Sequence, residues 1–342
     1  MSTTRRHGPP LHRARLAVAA AAAGTLLLAG CAAPLPTAEP EATPASPQPV
    51  LDDGQETAVL EDVGAVLAAA GEENDPKGLK ARVTGPALTI RTSQLEVAKE
   101  RGDADLVTEL PSEVQQVVIP TTQTWPRTSY AVSVQPESMQ SPRLTVYEQA
   151  TARKPYKLWG WVRLFPNTTL PSFAAPEIGS EAVAPDDDTL LVSPTDAIAQ
   201  YADVLNLGSR SSFADTFPDD SFRALLAERS KLWRDALKPA AGKYSLKFTP
   251  DEDDAVRAVR TADGGALVVG TLTSRETMTA EEGAVVPPST ETEKALFGDE
   301  DASNVLKVGY DDVVAIYVPP ADSGEQVLVL GTEHVATSIA NS

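Results

Sequence analysis

The stretch Tyr156-Lys157-Leu158-Trp159-Gly160-Trp161-Val162-Arg163 comes closest to a pattern with chemistry in it. On a β-strand alternate side chains share a face. Lys157, Trp159, Trp161 and Arg163 therefore line one side, with Tyr156, Leu158 and Val162 on the other. Two indoles alternating with two cations can stack on a sugar or grip an anionic cell-wall polymer. The competing reading is that this face packs on a helix or a second domain, with the Lys and Arg heads reaching out to water. Only 5% of residues are aromatic, and two of the four tryptophans fall here, so the face is the leading ligand-binding candidate.

Catalytic constellations are scarce. Beyond the N-terminal segment the chain holds one histidine, His334, beside Glu333. It reads as a surface or edge residue of a final strand. No G-x-S-x-G elbow, S-x-x-K, Gly-rich phosphate loop, H-E-x-x-H or C-x-x-C occurs. Carboxylates are the remaining resource, in runs such as Asp186–Asp188, Asp251–Asp254, Asp299–Asp301 and Asp311-Asp312. A glycosidase needs two of them placed across a substrate, and runs of acids do not imply that geometry. Asp299, Asp301 and Ser303 have the spacing of a calcium loop, but Asn304 stands where that loop needs Gly and Tyr310 where it needs a bidentate Glu. The expectation is no catalytic residue, no resident metal and no cofactor.

The strongest signal is an address. Arg5, Arg6, Arg13 and Arg15 precede an uncharged apolar run from Leu16 to Leu28, which ends in Leu28-Ala29-Gly30-Cys31. That tetrapeptide resembles the lipobox of bacterial prolipoproteins, in which small residues admit the peptidase and the cysteine thiol takes the lipid. The resemblance implies that residues 1–30 are a signal peptide, that Cys31 is the lipidated N-terminus, and that the lipid holds the chain to the membrane on its extracytoplasmic face. Spanning hydrocarbon takes about 20 apolar residues, more than this run supplies. Cys31 is the one cysteine, so no disulfide framework exists. Residues 31–50, with six prolines, read as an extended tether reaching about 60 Å.

Without the four signal-peptide arginines the chain keeps 25 basic and 48 acidic residues, a formal charge of −23. Nucleic acid is excluded as a partner of its general surface, because phosphate binding needs clustered Lys and Arg.

From Leu51 on, element order sets the fold class. Apolar residues at helical spacing in Glu56–Ala70 predict a helix ended near Gly71. A short helical piece at Gly85–Ile90 follows, then strands at Gln115–Ile119, Thr128–Val134, Arg143–Gln149 and Tyr156–Phe165. Residues 166–194, with five prolines, read as a connection. Ser193 then caps a helix with Pro194 at its first position, and a second helix covers Asp219–Leu237. Strands are predicted at Tyr244–Thr249, Ala255–Arg260, Ala266–Arg275, Val305–Val318 and Gln326–Val335, with Ala280–Ser303 as a mobile acidic loop.

The expected class is α+β in two domains, residues 51–170 and 193–342 joined by a linker at 171–192, each with helices packed on a curved antiparallel sheet. The order resembles tandem nuclear-transport-factor-like or cystatin-like units. The lipobox, tether and helix start at Leu51–Leu60 are similar to those of uncharacterised envelope lipoproteins of high-GC Gram-positive bacteria. The functional expectation is a membrane-anchored, non-catalytic binding or assembly module whose partner is an envelope protein, a cell-wall polymer or a small ligand. The alternative is a carboxylate-based cell-wall hydrolase or transferase.

Overall fold

The computed structural model describes residues 47–135, 140–251 and 256–341. Cys31, the signal segment and most of the tether lie outside them. The tether's end already belongs to the fold: Val50 is buried and its N–H bonds the Pro120 carbonyl. Among the described residues no helix is long and apolar enough to cross a membrane.

Two helices come first. α1 (Asp53–Glu73) starts at a capping box in which Asp52 accepts from the Gln55 N–H and the Gln55 side chain bonds back, and it ends at Asn74 in the left-handed conformation. α2 (Gly85–Arg101) has Pro86 in its first turn and Gly102 past its end. It is three turns longer than the short piece expected, because buried Leu95, Val97 and Ala98 keep its apolar face going past the polar Thr92-Ser93-Gln94.

The strands follow in chain order: β1 (Val114–Val118), β2 (Pro120–Thr121), β3 (Arg127–Ser133), β4 (Arg143–Gln149), β5 (Lys157–Leu164) and β6 (Ser180–Glu181). Next come α3 (Pro194–Leu207) and α4 (Ser221–Leu237), capped by Ser193 and Asp220. The chain ends with β7 (Lys243–Pro250), β8 (Arg257–Arg260), β9 (Ala266–Thr279), α5 (Glu291–Phe297), β10 (Val305–Val318) and β11 (Leu328–Ala340). The loop expected at Ala280–Ser303 thus contains α5, set up by a Thr290/Glu293 capping box, and β9 runs on to Thr279 instead of ending at Arg275.

Nine strands form one open antiparallel sheet in the order β1-β3-β4-β5-β11-β10-β9-β7, with β8 alongside β9. β7 and β8 lie end to end on the outer edge of β9, against residues 272–279 and 266–269. Strands from 51–170 and from 193–342 therefore share a sheet, joined at a seam of two residue pairs, Gly331–Leu164 and Thr332–Arg163. A Cβ at Gly331 would collide with the Arg163 carbonyl, so glycine permits that approach. The connection 166–192 is packed too: Ser180–Glu181 pairs with Pro120–Thr121, and Val183 and Leu190 are buried.

Strand alternation divides the core. Leu267, Val269, Val313, Ala315 and Tyr317 face α1 and α2. Ala266, Val268, Val314, Ile316 and Val318 face α3 and α4. A third cluster joins Leu237 and Phe297 to Met278, Leu306 and Val308 farther along the second face. The long strands read as continuous apolar runs where both faces are covered and alternate where one is open.

Candidate functional site

Beyond Thr332 the strand β11 parts from β5, and its outer edge has no strand partner among the described residues. α2 runs along that edge, and the Ser93 hydroxyl donates to the Ala336 carbonyl at 3.0 Å. On the other side α4 and α5 close in from the opposite face. A cavity of about 380 Å³ sits in this notch, where Val97, Leu106, Leu225 and Val335 supply apolar wall and Arg163, Arg229, Glu333 and His334 supply polar wall.

The polar wall is cross-linked. Arg229 of α4 reaches Glu276 of β9 through Nε at 2.8 Å and a terminal nitrogen at 2.6 Å. The same terminal nitrogen donates to Glu293 of α5 at 2.9 Å and to the Tyr310 hydroxyl at 3.0 Å. Tyr310 and Tyr244 in turn donate to Glu276 at 2.8 and 2.7 Å. Burial alone would lower the Arg229 guanidinium, but Glu276, Tyr310 and Glu293 overcome it and hold it above the ordinary range. Burial would likewise raise Glu293, yet the Ser289 N–H and hydroxyl, with Arg229, hold its carboxyl below the usual range. On the α2 side Gln94 donates to Thr108 at 2.7 Å, and Thr108 donates to Glu333 at 2.8 Å. These side chains are fixed by one another before any ligand arrives.

His334 is the hub. It is the direct cross-strand partner of Asp312 on β10, and its Nδ1 hydrogen-bonds the Asp312 carboxylate. The Asp312 side chain is 1% exposed and that of His334 16%. The imidazole stacks on Tyr310, centroids 4.1 Å apart at 13°, with Phe222 edge-on at 5.3 Å. With Nδ1 tied to the carboxylate, Nε2 is the nitrogen left to meet a ligand. A second recess, of about 520 Å³, opens on the far side of His334, Glu333 and Arg163, next to Ser141 and Ser221. His334 thus sits on a strand edge as expected, but its side chain is enclosed instead of lying on the surface. Its role follows from the β10–β11 register, which the sequence alone does not display.

The aromatic face of β5 is closed. Trp159 and Trp161 are 1% and 0% exposed. The Arg257 guanidinium lies 4.0 Å from the Trp159 ring and that of Arg91 5.2 Å from Trp161. α2 presses so near that a Cβ on Gly85 would come within 2.6 Å of the Trp159 indole. Burial lowers the Arg91 guanidinium to about 10, partly offset by Glu333. Lys157 bonds the Lys80 carbonyl. The ligand-binding reading of Trp159/Trp161 is therefore corrected in favour of the competing one: helix packing covers both indoles, and of the four residues Arg163 alone reaches the cavity. Arg163 is exposed and has no ion-pair partner among the described residues.

Among the described residues no three His, Cys, Asp or Glu side chains cluster as a metal site would need. Ser303 is engaged by Asn341 through its N–H at 2.8 Å and its hydroxyl at 2.9 Å.

Fold and site together define a mixed α+β protein with a preorganised pocket at a break in its sheet. The chain belongs to the family described as Domain of unknown function (DUF8094), which it matches over residues 47–339. It is similar to an uncharacterized lipoprotein of Streptomyces avermitilis, 28% identical over 319 residues, 92% of this chain and 91% of the relative. It is also similar to the uncharacterized lipoprotein SCO2278 of Streptomyces coelicolor, 33% identical over 170 residues, 49% of each chain. These relatives agree with the actinobacterial lipoprotein resemblance read from Leu28–Cys31 and the tether. No solved structure matches the chain.

Proposed function

We propose that this protein is a non-catalytic ligand-binding lipoprotein, carried on the extracytoplasmic face of the membrane by a lipid on Cys31. Its site is the notch between α2, α4, α5 and β11. The observation that carries the reading is the cavity of about 380 Å³, within the size range of small-molecule sites, whose polar wall is already hydrogen-bonded while Arg163 keeps a free charge. The ligand class is a small amphiphile. Its anionic group would meet Arg163, a hydroxyl or N–H beside that group would donate to Nε2 of His334, and its apolar part would lie on Val97, Leu106 and Leu225.

The test is a thermal-shift titration of the full-length lipoprotein in detergent with fatty acids, lysophospholipids and muropeptides. Saturable stabilisation by an anionic amphiphile, lost in both Arg163→Ala and His334→Ala, supports the site. Stabilisation that survives both substitutions places the ligand elsewhere and overturns it.

One feature favours a second reading. An imidazole oriented by a buried carboxylate is the arrangement of a general base, and it would recast the notch as a hydrolytic site in which His334 activates water. Turnover of chromogenic acyl esters that vanishes in His334→Gln would select that reading over binding alone.

A further inference from the structure

The far ends of β7, β9, β10 and β11 have one face under α4 and α5 and the other open. Along β7 the residues facing outward are Lys243, Ser245, Lys247 and Thr249, all exposed, whereas Phe248 is buried. On β9 the exposed residues are Thr273 and Arg275, followed by half-buried Thr277 and Thr279. Lys307, Gly309 and Asp311 continue the same face on β10.

Register sets these side chains in rows across the sheet. Lys247 pairs with Arg275, Arg275 with Gly309, and Gly309 with Ser338. The next row runs from Ser245 through Thr277 to Lys307. Neighbouring strands lie about 4.8 Å apart, so Arg275 on β9 is one strand from both Lys247 on β7 and Lys307 on β10, and those two lie about 10 Å apart laterally. A groove of about 490 Å³ runs over Gly309 between Lys247, Arg275, Thr337 and Ser338. Glycine shapes it, because a Cβ at 309 would strike the Ser338 hydroxyl.

Charge makes this face unlike its surroundings. The chain carries a formal −19, yet Lys243, Lys247, Arg275 and Lys307 converge here with no ion-pair partner among the described residues. Asp311 is the carboxylate on the groove wall, at the end nearest Thr249, where it accepts a hydrogen bond from Thr337 at 2.5 Å. Four cations gathered on one face of an acidic protein make a local positive field that attracts an anionic ligand. The rest of the face is Ser and Thr hydroxyl rather than apolar. That favours a hydroxylated, charged chain over a lipid surface, which would call for aromatic or aliphatic groups to insert.

We propose that this sheet face binds a linear polyhydroxylated polyanion, a glycopolymer-type chain with repeated phosphate or carboxylate groups. The cations of Lys247, Arg275 and Lys307 meet successive anionic groups. The hydroxyls of Thr249, Thr273 and Ser338 meet the polymer's own hydroxyls, which lie along the groove over Gly309. This surface is separate from the His334 notch, so either assignment can fail alone.

The test is equilibrium binding of the full-length lipoprotein in detergent to fluorescent poly(glycerol phosphate), polygalacturonate and neutral dextran, and to vesicles with and without anionic lipid. The expected result is binding to one or both polyanions, weakening as salt rises. Affinity should fall about tenfold or more in Lys247→Gln/Arg275→Gln/Lys307→Gln and be unchanged in Arg163→Ala. The two polyanion arms separate phosphate from carboxylate recognition. The three substitutions are on exposed or half-buried positions, and an unaltered Tm confirms that the fold is kept. Binding to dextran as strong as to the polyanions, binding unaffected by the triple substitution, or binding to anionic vesicles alone overturns the proposal.

Discussion

At β5, Arg257 and Arg91 lie over the rings of Trp159 and Trp161, and α2 seals the stack from water. At β11, His334 stacks on Tyr310 while Arg229 hydrogen-bonds the same tyrosine, and the ensemble borders a cavity. Both regions combine cations with aromatic rings beside the β5–β11 seam of the sheet. What separates them is cover. β5 has a helix docked across its aromatic face, whereas β11 has lost its strand partner beyond Thr332 and the helices flank the gap without filling it. Interleaved aromatic and basic residues are thus as good at making core as at making a site, and the backbone above them decides which.

The comparison breaks first if the indoles are not core. Trp159→Ala should cost about 3–5 kcal/mol, read as a drop in denaturation midpoint that is the same with and without ligand. A small loss of stability together with a loss of ligand response would return the binding role to β5.

Removing the cation from the cross-linked wall comes next. Arg229→Met leaves Glu276 and Glu293 buried without their counter-charge, and should destabilise by about 3 kcal/mol, with a large part recovered when Glu276→Gln is added. Absence of recovery in a double-mutant cycle would mean that the triad is not coupled as its geometry indicates.

A third carboxyl serves as a contrast to that wall. Glu56 of α1 is 4% exposed and receives only the Ser129 hydroxyl, at 2.8 and 2.9 Å to its two oxygens. Burial pushes its carboxyl up to about 7, against the lowering effect of that hydrogen bond. The folded state therefore holds a proton that the unfolded chain releases near its ordinary value of 4.5. Stability should fall as pH rises from about 4.5 to 7 and then level off. Glu56→Gln should abolish that segment of the pH profile and add about 1–3 kcal/mol above pH 7, as read by denaturant titration at several pH values. A profile unchanged by the substitution would assign the slope to other groups.

The smallest expected effect sharpens the comparison most. Arg163→Ala removes an exposed, unpaired cation and should change stability by no more than about 0.5 kcal/mol, while abolishing ligand-induced stabilisation. A cost of several kcal/mol would show Arg163 to be structural, like its neighbours Trp159 and Trp161.

Much of the fold was legible because it rests on local signals. The capped start of α3 at Ser193-Pro194, the stop of α1 before Pro76, and the β4 and β10 boundaries follow from residue chemistry within a few positions. α5 escaped because its seven residues lie in an acidic stretch with little apolar periodicity, although its capping box, Thr290 with Glu293, is a local signal that could have found its start. The site was harder to see. Lys157, Trp159, Trp161 and Arg163 alternate as expected, yet alternation tells which residues share a face and not what lies on it. His334 looked solitary because its partner Asp312 stands 22 positions away, and nothing local sets the register between them.

By itself, then, the amino-acid order carried the lipobox resemblance at Leu28–Cys31, and it determined the helix caps, the strand runs and the α+β class, all of which depend on interactions between near neighbours in the chain. Only the tertiary structure decided that both halves contribute to one sheet, that α2 covers the tryptophans, that Asp312 meets His334, and that Lys247, Arg275 and Lys307 gather on one open face. Each of these depends on which distant strands pair and in what register, and that is settled by the burial of the whole core at once.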